Sequence, residues 1–219
     1  MGWFLRFLSS SIGQKFVSGL TGLFLISFLL VHLAGNFQLF KNDNGVAFNA
    51  YSEFMSTNPI IRTLEIGLVL GFVFHMFIGT KLWLKNKAAR PVAYAVRDAN
   101  ANSAWTSRSM FLSGLIIVVF LVIHLRSFFV ETRFLGQHDM YKLVVEAFKQ
   151  PIYSGFYVFA MILLGIHLNH GFQSSFQTFG LLGKKYSPVI KGLGLAFAII
   201  VPLLYAIIPL YFLFNLGGK

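Results

Sequence analysis

Cysteine is absent from this chain of 219 residues, and its absence removes several kinds of redox site at once. Without thiolates the chain cannot ligate an iron–sulfur cluster or hold a haem through a cysteine ligand. It also cannot attach a haem covalently through a C-x-x-C-H motif. Any haem in this protein must therefore be of the non-covalent b type.

Charged residues are scarce as well. They make up 11% of the chain, whereas 56% of it is hydrophobic and the mean hydropathy is +0.70, which is too apolar for a soluble domain. One membrane crossing takes about 20 apolar residues. Five segments are long enough, at residues 16–37, 61–84, 109–130, 152–176 and 189–214. We predict an all-α fold, a five-helix transmembrane bundle that forms one domain over residues 1–219.

Acidic residues are the rarest charged class, with seven against 18 basic residues. With the N-terminus inside, the inner segments contain one acid, Asp98, and eleven basic residues: Arg6, Lys15, Lys81, Lys85, Lys87, Arg90, Arg97, Arg108, Lys184, Lys185 and Lys191. The outer segments hold seven basic and six acidic residues. The positive-inside rule therefore places the N-terminus in the cytoplasm and the C-terminus outside. Because topology and anionic lipid account for the net charge of +11, we expect no nucleic-acid partner.

The segments between the apolar stretches are short, and no internal repeat is evident. Residues 38–59 are predicted to be a loop ending at Pro59, which starts helix two, and residues 85–107 form the longest inner loop. The outer loop at 131–150 is predicted to hold a short amphipathic helix from Met140 to Phe148. Pro202 and Pro209 interrupt the fifth helix, which has no histidine and is predicted to be a packing helix.

Four histidines lie inside four different apolar segments. They are His32, His75, His124 and His167, at successive spacings of 43, 49 and 43 residues. Ionisable side chains inside a bilayer are expensive and mark functional positions. If the helices alternate in direction, His32 and His124 lie near one membrane face, and His75 and His167 lie near the other.

Helical rise gives the depth of each histidine. His32 lies 17 positions beyond Lys15 and His124 lies 16 beyond Arg108, so both are roughly 24–26 Å from the inner end of their helix. His75 lies only six positions before Lys81, or about 9 Å. His167 belongs to the same inner level, 16 residues into a helix that runs inward from Pro151. The two levels differ by roughly 15 Å along the membrane normal.

Two pairs of imidazoles at two depths fit two bis-histidine haems b. Such a haem has no open coordination position and transfers electrons rather than binding oxygen. A single membrane histidine is more often a hydrogen-bonding or proton-relay group, but four that pair by depth favour haem. His138 lies in a loop, and His170 competes with His167 as a ligand because the two share a helix face.

Glycines on helix two provide the space that a porphyrin needs. Gly71 and Gly79 lie one turn to either side of His75 on one face, and we expect them to contact the haem. Small-residue helix packing is the alternative explanation for these glycines.

Several segments resemble a known family, the di-haem cytochrome b membrane anchors of succinate dehydrogenase and quinol:fumarate reductase, in the five-helix single-polypeptide form. The resemblance extends over essentially the whole chain. It rests on Q-K-F-V-S-G-L-T-G-L-F at 14–24, V-H-L-A-G-N at 31–36, L-E-I at 64–66, F-H-M-F-I-G-T at 74–80, I-H-L-R-S-F-F-V-E-T-R at 123–133 and G-I-H-L-N-H-G-F-Q-S-S-F at 165–176.

The resemblance implies roles for particular residues. It makes His167 rather than His170 the fourth ligand, and it pairs His32 with His124 and His75 with His167, as depth does independently. Some relatives carry a glutamate two residues before the fourth ligand as part of a proton path. That position is Gly165 here, so the proton path is not expected in this protein.

The resemblance also implies partners and a location. A flavoprotein subunit and an iron–sulfur subunit would dock on the cytoplasmic side of a bacterial cytoplasmic membrane, with lipid around the helices. Electrons would pass between dicarboxylate and a quinone, expected to be menaquinone, through the two haems. The alternatives are a haem-b anchor of a hydrogenase or formate dehydrogenase and a non-haem proton-coupled transporter.

Glu65 is the candidate for quinone chemistry. Quinone reduction takes up two protons with two electrons, so the site needs a proton carrier near a haem. Glu65 lies ten residues before His75, about 15 Å higher and thus near the level of His32 and His124. The alternative is a structural glutamate that interacts with the helix dipole or pairs with Arg62.

Overall fold

The computed structural model describes residues 2–89 and 105–216, with side chains in the second part from residue 108 onward. These residues form helices and no strands. The helices are α1 (Trp3–Ser9), α2 (Ser11–Asn36), α3 (Val46–Thr57), α4 (Pro59–Ala88), α5 (Trp105–His124), α6 (Met140–Phe148), α7 (Pro151–Thr178) and α8 (Ser187–Leu213).

Five of these helices, α2, α4, α5, α7 and α8, are long and apolar enough to cross a membrane. The ends of these spans differ from the predicted ones by at most five residues. The predicted fold, an all-α bundle of five such helices, is confirmed. The short amphipathic helix predicted from Met140 to Phe148 is also present, as α6.

The helix starts follow from local chemistry. The Ser10 side chain accepts a hydrogen bond from the Gly13 N–H at 3.0 Å and caps α2. Asn58 caps α4 in the same way, and Pro59 occupies its first turn, where a missing N–H does no harm. α7 begins with Pro151 for the same reason.

Helices α2, α4, α5 and α7 form a four-helix arrangement, and α8 packs beside it. α2 packs along α4 on one side and along α7 on the other, α5 packs along α7, and α4 touches α5 only slightly. α2 and α5 are therefore diagonally opposite, as are α4 and α7. α8 makes its largest contact with α7, which agrees with the prediction of a packing helix.

The prediction of a continuous loop over residues 38–59 is wrong, because α3 occupies most of it. Asp43 accepts hydrogen bonds from the N–H groups of Gly45 and Ala47 and caps the helix. Phe48 is buried in the core and the Tyr51 ring lies against Gly35 of α2. The turn-forming residues of this segment lie outside α3, at 42–45 and at Asn58, and α3 itself is held by the buried Phe48 and the half-buried Tyr51.

A π-helical turn from Leu125 to Val130 follows α5, and one α-turn, Glu131–Arg133, completes the span. The sequence analysis did not predict the π-helical turn. Residues five apart align on a π-helix, and Arg126 pairs with Glu131 at 2.6 Å. Such turns are frequent at functional sites, and this one begins immediately after His124.

The buried core lies at the end of the bundle that the sequence assigns to the outer side. It brings together residues from six elements: Leu39, Phe48, Phe128, Val144, Phe148, Tyr157, Ile208 and Phe212. α3 and α6 thus cover this end of the bundle and add apolar side chains to its core.

Candidate functional site

The structure brings the four membrane histidines together as two pairs. The rings of His32 and His124 have centroids 5.9 Å apart, and those of His75 and His167 are 6.2 Å apart. Each pair joins diagonally opposite helices, so both pairs lie in the interior of the four-helix arrangement. No helix contributes a histidine to both pairs.

These distances fit one iron between each pair. A metal–imidazole nitrogen bond is about 2 Å long, so two rings that bind one metal from opposite sides have centroids roughly 6 Å apart. Among the described residues no group of three His, Cys, Asp or Glu side chains could hold a bare metal ion. A haem takes only two axial ligands from the protein, and the donor set of two imidazoles per site fits it.

The His75 ring has a defined hydrogen-bonding environment. Its Nδ1 lies 3.2 Å from the carbonyl oxygen of Ser18 and 3.4 Å from Oγ1 of Thr21. A carbonyl can only accept, so Nδ1 carries the proton and donates it. Nε2 is then the free nitrogen, which is the arrangement that metal-binding imidazoles adopt.

His167 is held in the same manner by α5. Its Nδ1 lies 3.4 Å from Oγ of Ser113. A Cβ on Gly114 would lie 3.4 Å from its ring, and a Cβ on Gly22 of α2 would lie 3.2 Å from the His75 ring. Each inner imidazole thus fits against a glycine of a neighbouring helix.

The outer pair has different neighbours. His124 Nδ1 lies 3.1 Å from the hydroxyl of Tyr157, which is itself 2.8 Å from the hydroxyl of Tyr153. The His32 ring stacks on Phe28 at 5.3 Å and packs beside Tyr205. Among the described residues, the His32 ring has no such hydrogen-bond partner.

The depth of the inner histidines can be measured along the helices that carry the outer histidines, because each inner ring lies against a glycine of one of those helices. Gly22, against His75, precedes His32 by ten residues, and Gly114, against His167, precedes His124 by ten. Ten helical residues span about 15 Å. The two imidazole pairs are therefore stacked along the bundle at this separation.

A constant offset of 92 residues relates the two halves of the site. It converts His32 into His124 and His75 into His167, and it also relates the residues that touch them. The stack of Phe28 on His32 recurs as Phe120 on His124, at 5.7 Å. Two further pairs of histidine neighbours at this offset are Thr21 with Ser113 and Gly22 with Gly114.

This offset is an internal repeat of the α2 and α4 pair as α5 and α7, which the sequence analysis did not find. The two equal spacings of 43 residues between the histidines already contained this repeat. Adding 92 to the number of a residue near one histidine gives the position of the corresponding hydroxyl or glycine neighbour in the second half. Thr21, Ser113 and Tyr157 are the site residues that sequence reasoning missed. Each is unremarkable by itself in an apolar helix.

The other predicted candidates, Gly71, Gly79 and His170, have no contact among the described residues that tests their predicted roles. Gly71 packs against Phe24 of α2, where an added Cβ would be 3.0 Å from the ring. Gly79 faces open space among the described residues. His170 is half-buried, and the ring near His75 is that of His167. His138 is exposed before α6.

Glu65 contacts two arginines. Both of its oxygens lie 2.7 Å from Nη1 of Arg62, and Oε2 lies 2.9 Å from Nη2 of Arg133. Arg133 also donates to the carbonyl oxygen of Ser56 at 2.8 Å. The carboxylate therefore connects α4 to the end of the third span and, through Arg133, to α3.

The chain matches a known family. Residues 84–207 match the family described as Succinate dehydrogenase/Fumarate reductase transmembrane subunit. The chain belongs to this family. No curated protein and no solved structure matched the chain. The matched region of this succinate dehydrogenase/fumarate reductase transmembrane subunit includes His124 and His167, and its multi-pass membrane character agrees with the five spans.

Gly165 of this transmembrane subunit lies at a close contact between α7 and α8. A Cβ there would be 2.8 Å from the carbonyl oxygen of Ala198. Pro202, four residues after Ala198, has no N–H to bond that carbonyl, which leaves it open to the approach of Gly165. Close packing of α7 on α8 thus disfavours any side chain at position 165 of this subunit.

The helix ends on the predicted inner side carry exposed basic side chains. Lys85 donates to Ser11 Oγ at 2.7 Å, and Lys87 lies over the Trp83 ring, which stacks on Phe111 of α5 at 3.9 Å. Arg90, Arg97 and most of the predicted inner loop at 85–107 lie outside the described residues, as does the Trp105 side chain.

Proposed function

We propose that this succinate dehydrogenase/fumarate reductase transmembrane subunit transfers electrons between an iron–sulfur subunit and a membrane quinone through two haems b. His32 and His124 would ligate the outer haem, and His75 and His167 the inner haem. The observation that carries the proposal is the pair of diagonal histidine contacts with centroids 5.9 and 6.2 Å apart. Their stacking at about 15 Å would carry electrons across most of the bilayer.

The chain's own residues provide the binding and the orientation. Ser18, Thr21 and Ser113 hold the Nδ1 sides of the inner imidazoles and direct Nε2 toward the bundle interior. Apolar helix surfaces keep water away from both sites. When bound, a haem with two imidazole ligands supplies one-electron transfer without an open position for oxygen.

Quinone chemistry is proposed for the outer side. Glu65 lies near the level of His32 and His124 and would carry protons to and from the quinone, for which menaquinone is the expected species. Its ion pairs with Arg62 and Arg133 also agree with the alternative in which Glu65 only ties three helices together. These two roles predict different effects of Glu65→Gln on quinone-linked turnover.

The proposed setting is a bacterial cytoplasmic membrane, with the N-terminus in the cytoplasm and the C-terminus outside. Exposed Lys85 and Lys87, with Lys184 and Lys185 on the same predicted side, support this orientation. The flavoprotein and iron–sulfur subunits would dock on this basic side, where their electrons would enter or leave the inner haem.

Haem stoichiometry in single histidine variants tests the proposal. The purified complex should contain two haems b, and His32→Ala or His75→Ala should each lose one and retain the other. His170→Ala and His138→Ala are the matched controls and should retain both. The measurement is the pyridine haemochrome spectrum per mole of subunit. A colourless wild-type protein, or two haems in both ligand variants, would contradict the assignment.

A further inference from the structure

Tyr157 makes the one polar contact to an outer imidazole among the described residues. Its hydroxyl lies 3.1 Å from His124 Nδ1, and a second hydroxyl, that of Tyr153 one turn earlier on α7, lies 2.8 Å beyond it. The three groups form a continuous chain of hydrogen bonds. If Nε2 of His124 binds iron, Nδ1 carries the proton, so His124 is the donor and Tyr157 the acceptor.

The Tyr157 ring is fixed in place by its surroundings. It is 6% exposed, with the Phe120 ring at 4.9 Å and the Phe148 ring at 5.0 Å, both edge-on. An aromatic side chain packed in this way keeps one orientation, and its hydroxyl is directed at His124. A polar group this deeply buried also requires a partner, and the imidazole and Tyr153 provide it.

The internal repeat shows that the outer pair is asymmetric. The inner imidazoles have equivalent hydroxyl neighbours, Thr21 and Ser113, at positions 92 residues apart. For the outer pair, the position equivalent to Tyr157 is Glu65, and its carboxylate contacts Arg62 and Arg133. One outer imidazole thus has a fixed hydrogen-bond acceptor, whereas His32 is held by ring stacking.

We propose that Tyr157 is a positioning residue for the outer haem: its hydroxyl accepts the Nδ1–H of His124, fixes the imidazole, and sets the redox equilibrium of that haem alone. The inference rests on the bis-histidine haems of the proposed function. An acceptor at Nδ1–H makes the imidazole a stronger donor through Nε2, and a stronger donor stabilises the oxidised iron. Loss of the hydroxyl should therefore favour the reduced state.

Tyr157→Phe tests this, because it removes the hydroxyl and keeps the ring packing. The variant should retain two haems. Its outer haem should shift toward reduction by up to about tenfold in the equilibrium constant, or about 59 mV for one electron, and the inner haem should not change. The measurements are a potentiometric titration of both haems and the low-spin EPR signals, with each haem assigned from the His32→Ala and His75→Ala variants.

Two further variants make the test specific. Ser113→Ala removes the hydroxyl at the inner site and should leave the outer haem unchanged. Tyr153→Phe removes the second hydroxyl of the chain and should shift the outer haem in the same direction as Tyr157→Phe, by less. If Tyr157→Phe does not assemble, Tyr153→Phe becomes the test of the proposal. An outer haem that keeps its wild-type potential in Tyr153→Phe then overturns the proposal.

The outcomes separate this inference from the proposed function. A wild-type complex without two haems contradicts the proposed function. Two haems in the wild type, with an outer haem in Tyr157→Phe that keeps its wild-type potential and EPR signal, overturn the role of Tyr157 and leave the haem ligands as proposed.

Discussion

Glu65 is the residue whose sequence context allowed two roles, and the structure adds a contact to one of them. The pairing with Arg62 was foreseen as an alternative to proton transfer, but the bond from Arg133, 68 residues away along the chain, was not. Local spacing reveals partners on the same helix. Whether Arg133 reaches Glu65 from another helix depends on the direction that the π-helical turn after His124 gives to the end of the third span.

Glu65→Gln distinguishes the two roles, since it keeps the shape of the side chain and removes its proton-carrying group. If Glu65 carries protons, quinone-linked turnover should fall by about 100-fold, the lower end of what a positioned acid or base contributes. Both haems and succinate oxidation with an artificial acceptor should survive. The measurement is steady-state turnover with each acceptor.

Glu146→Gln is the matched control for this experiment. Glu146 is exposed, 3.9 Å from Lys142 on α6, and belongs to no proposed site. The Glu146→Gln variant should keep normal quinone-linked turnover. Normal quinone turnover in Glu65→Gln as well would leave Glu65 a structural role in linking α3, α4 and the end of the third span.

At the scale of elements, α3 and α6 are connected by a reciprocal pair of hydrogen bonds. Asn49 donates to Asp139 at 2.9 Å and accepts from the N–H of Tyr141 at 2.8 Å. Asp139 also caps α6 through the N–H of Lys142. That backbone bond first, and the Asn49 amide second, lower the pKa of Asp139 below its ordinary value.

Acid should therefore loosen α6. A carboxyl group with a lowered pKa in the folded state contributes stability at pH values above its unfolded value, and this contribution is lost as the pH falls through the folded pKa. Once the intrinsic exchange rate at each pH is divided out, the backbone amides of α6 should lose protection below about pH 4. Asp139→Ala should show faster exchange already at pH 7, consistent with about 1 kcal/mol for a helix cap.

Hydrogen exchange followed by mass spectrometry over residues 140–148 measures this effect. Glu146→Gln on the same helix leaves the cap intact and should retain the wild-type pH profile. Equal exchange in Asp139→Ala and the wild type at pH 7 would mean that apolar packing of Val144 and Phe148 alone holds α6.

The five membrane spans of the described residues combine two repeated pairs, α2 with α4 and α5 with α7, with one additional span, α8. Related positions in the two repeats face each other across the bundle, so each proposed haem receives one ligand from each repeat. Repeated halves are also typical of transporters. However, the family match identifies this chain as a transmembrane subunit of the succinate dehydrogenase and fumarate reductase family.

Docking of the soluble subunits is a prediction at this scale. Charge reversal at Lys85, Lys87 and Arg90 should reduce co-purification of the iron–sulfur subunit if the basic inner surface binds it. Reversal of Lys142 and Lys149, on the predicted outer side, is the control and should leave assembly unchanged. Protease accessibility of the termini verifies that the topology is retained. Unchanged assembly in the inner variant would mean that these charges serve topology and lipid contact only.

The sequence by itself determined the features that depend on composition and on helical rise. Five apolar segments specify five spans because a bilayer requires internally hydrogen-bonded helices. The depths of His32, His75, His124 and His167 follow from counting residues along a helix. The amphipathic pattern from Met140 to Phe148 was likewise sufficient to predict α6.

Tertiary structure alone decided the features that depend on contacts between helices. The contacts that hold α3 in place, the buried Phe48 ring and the half-buried Tyr51 ring against Gly35, come from other elements. The Tyr157 hydroxyl meets His124, and Arg133 meets Glu65, only once α4, α5 and α7 are packed together. Distances between residues far apart in the chain are set by packing, which local patterns do not encode.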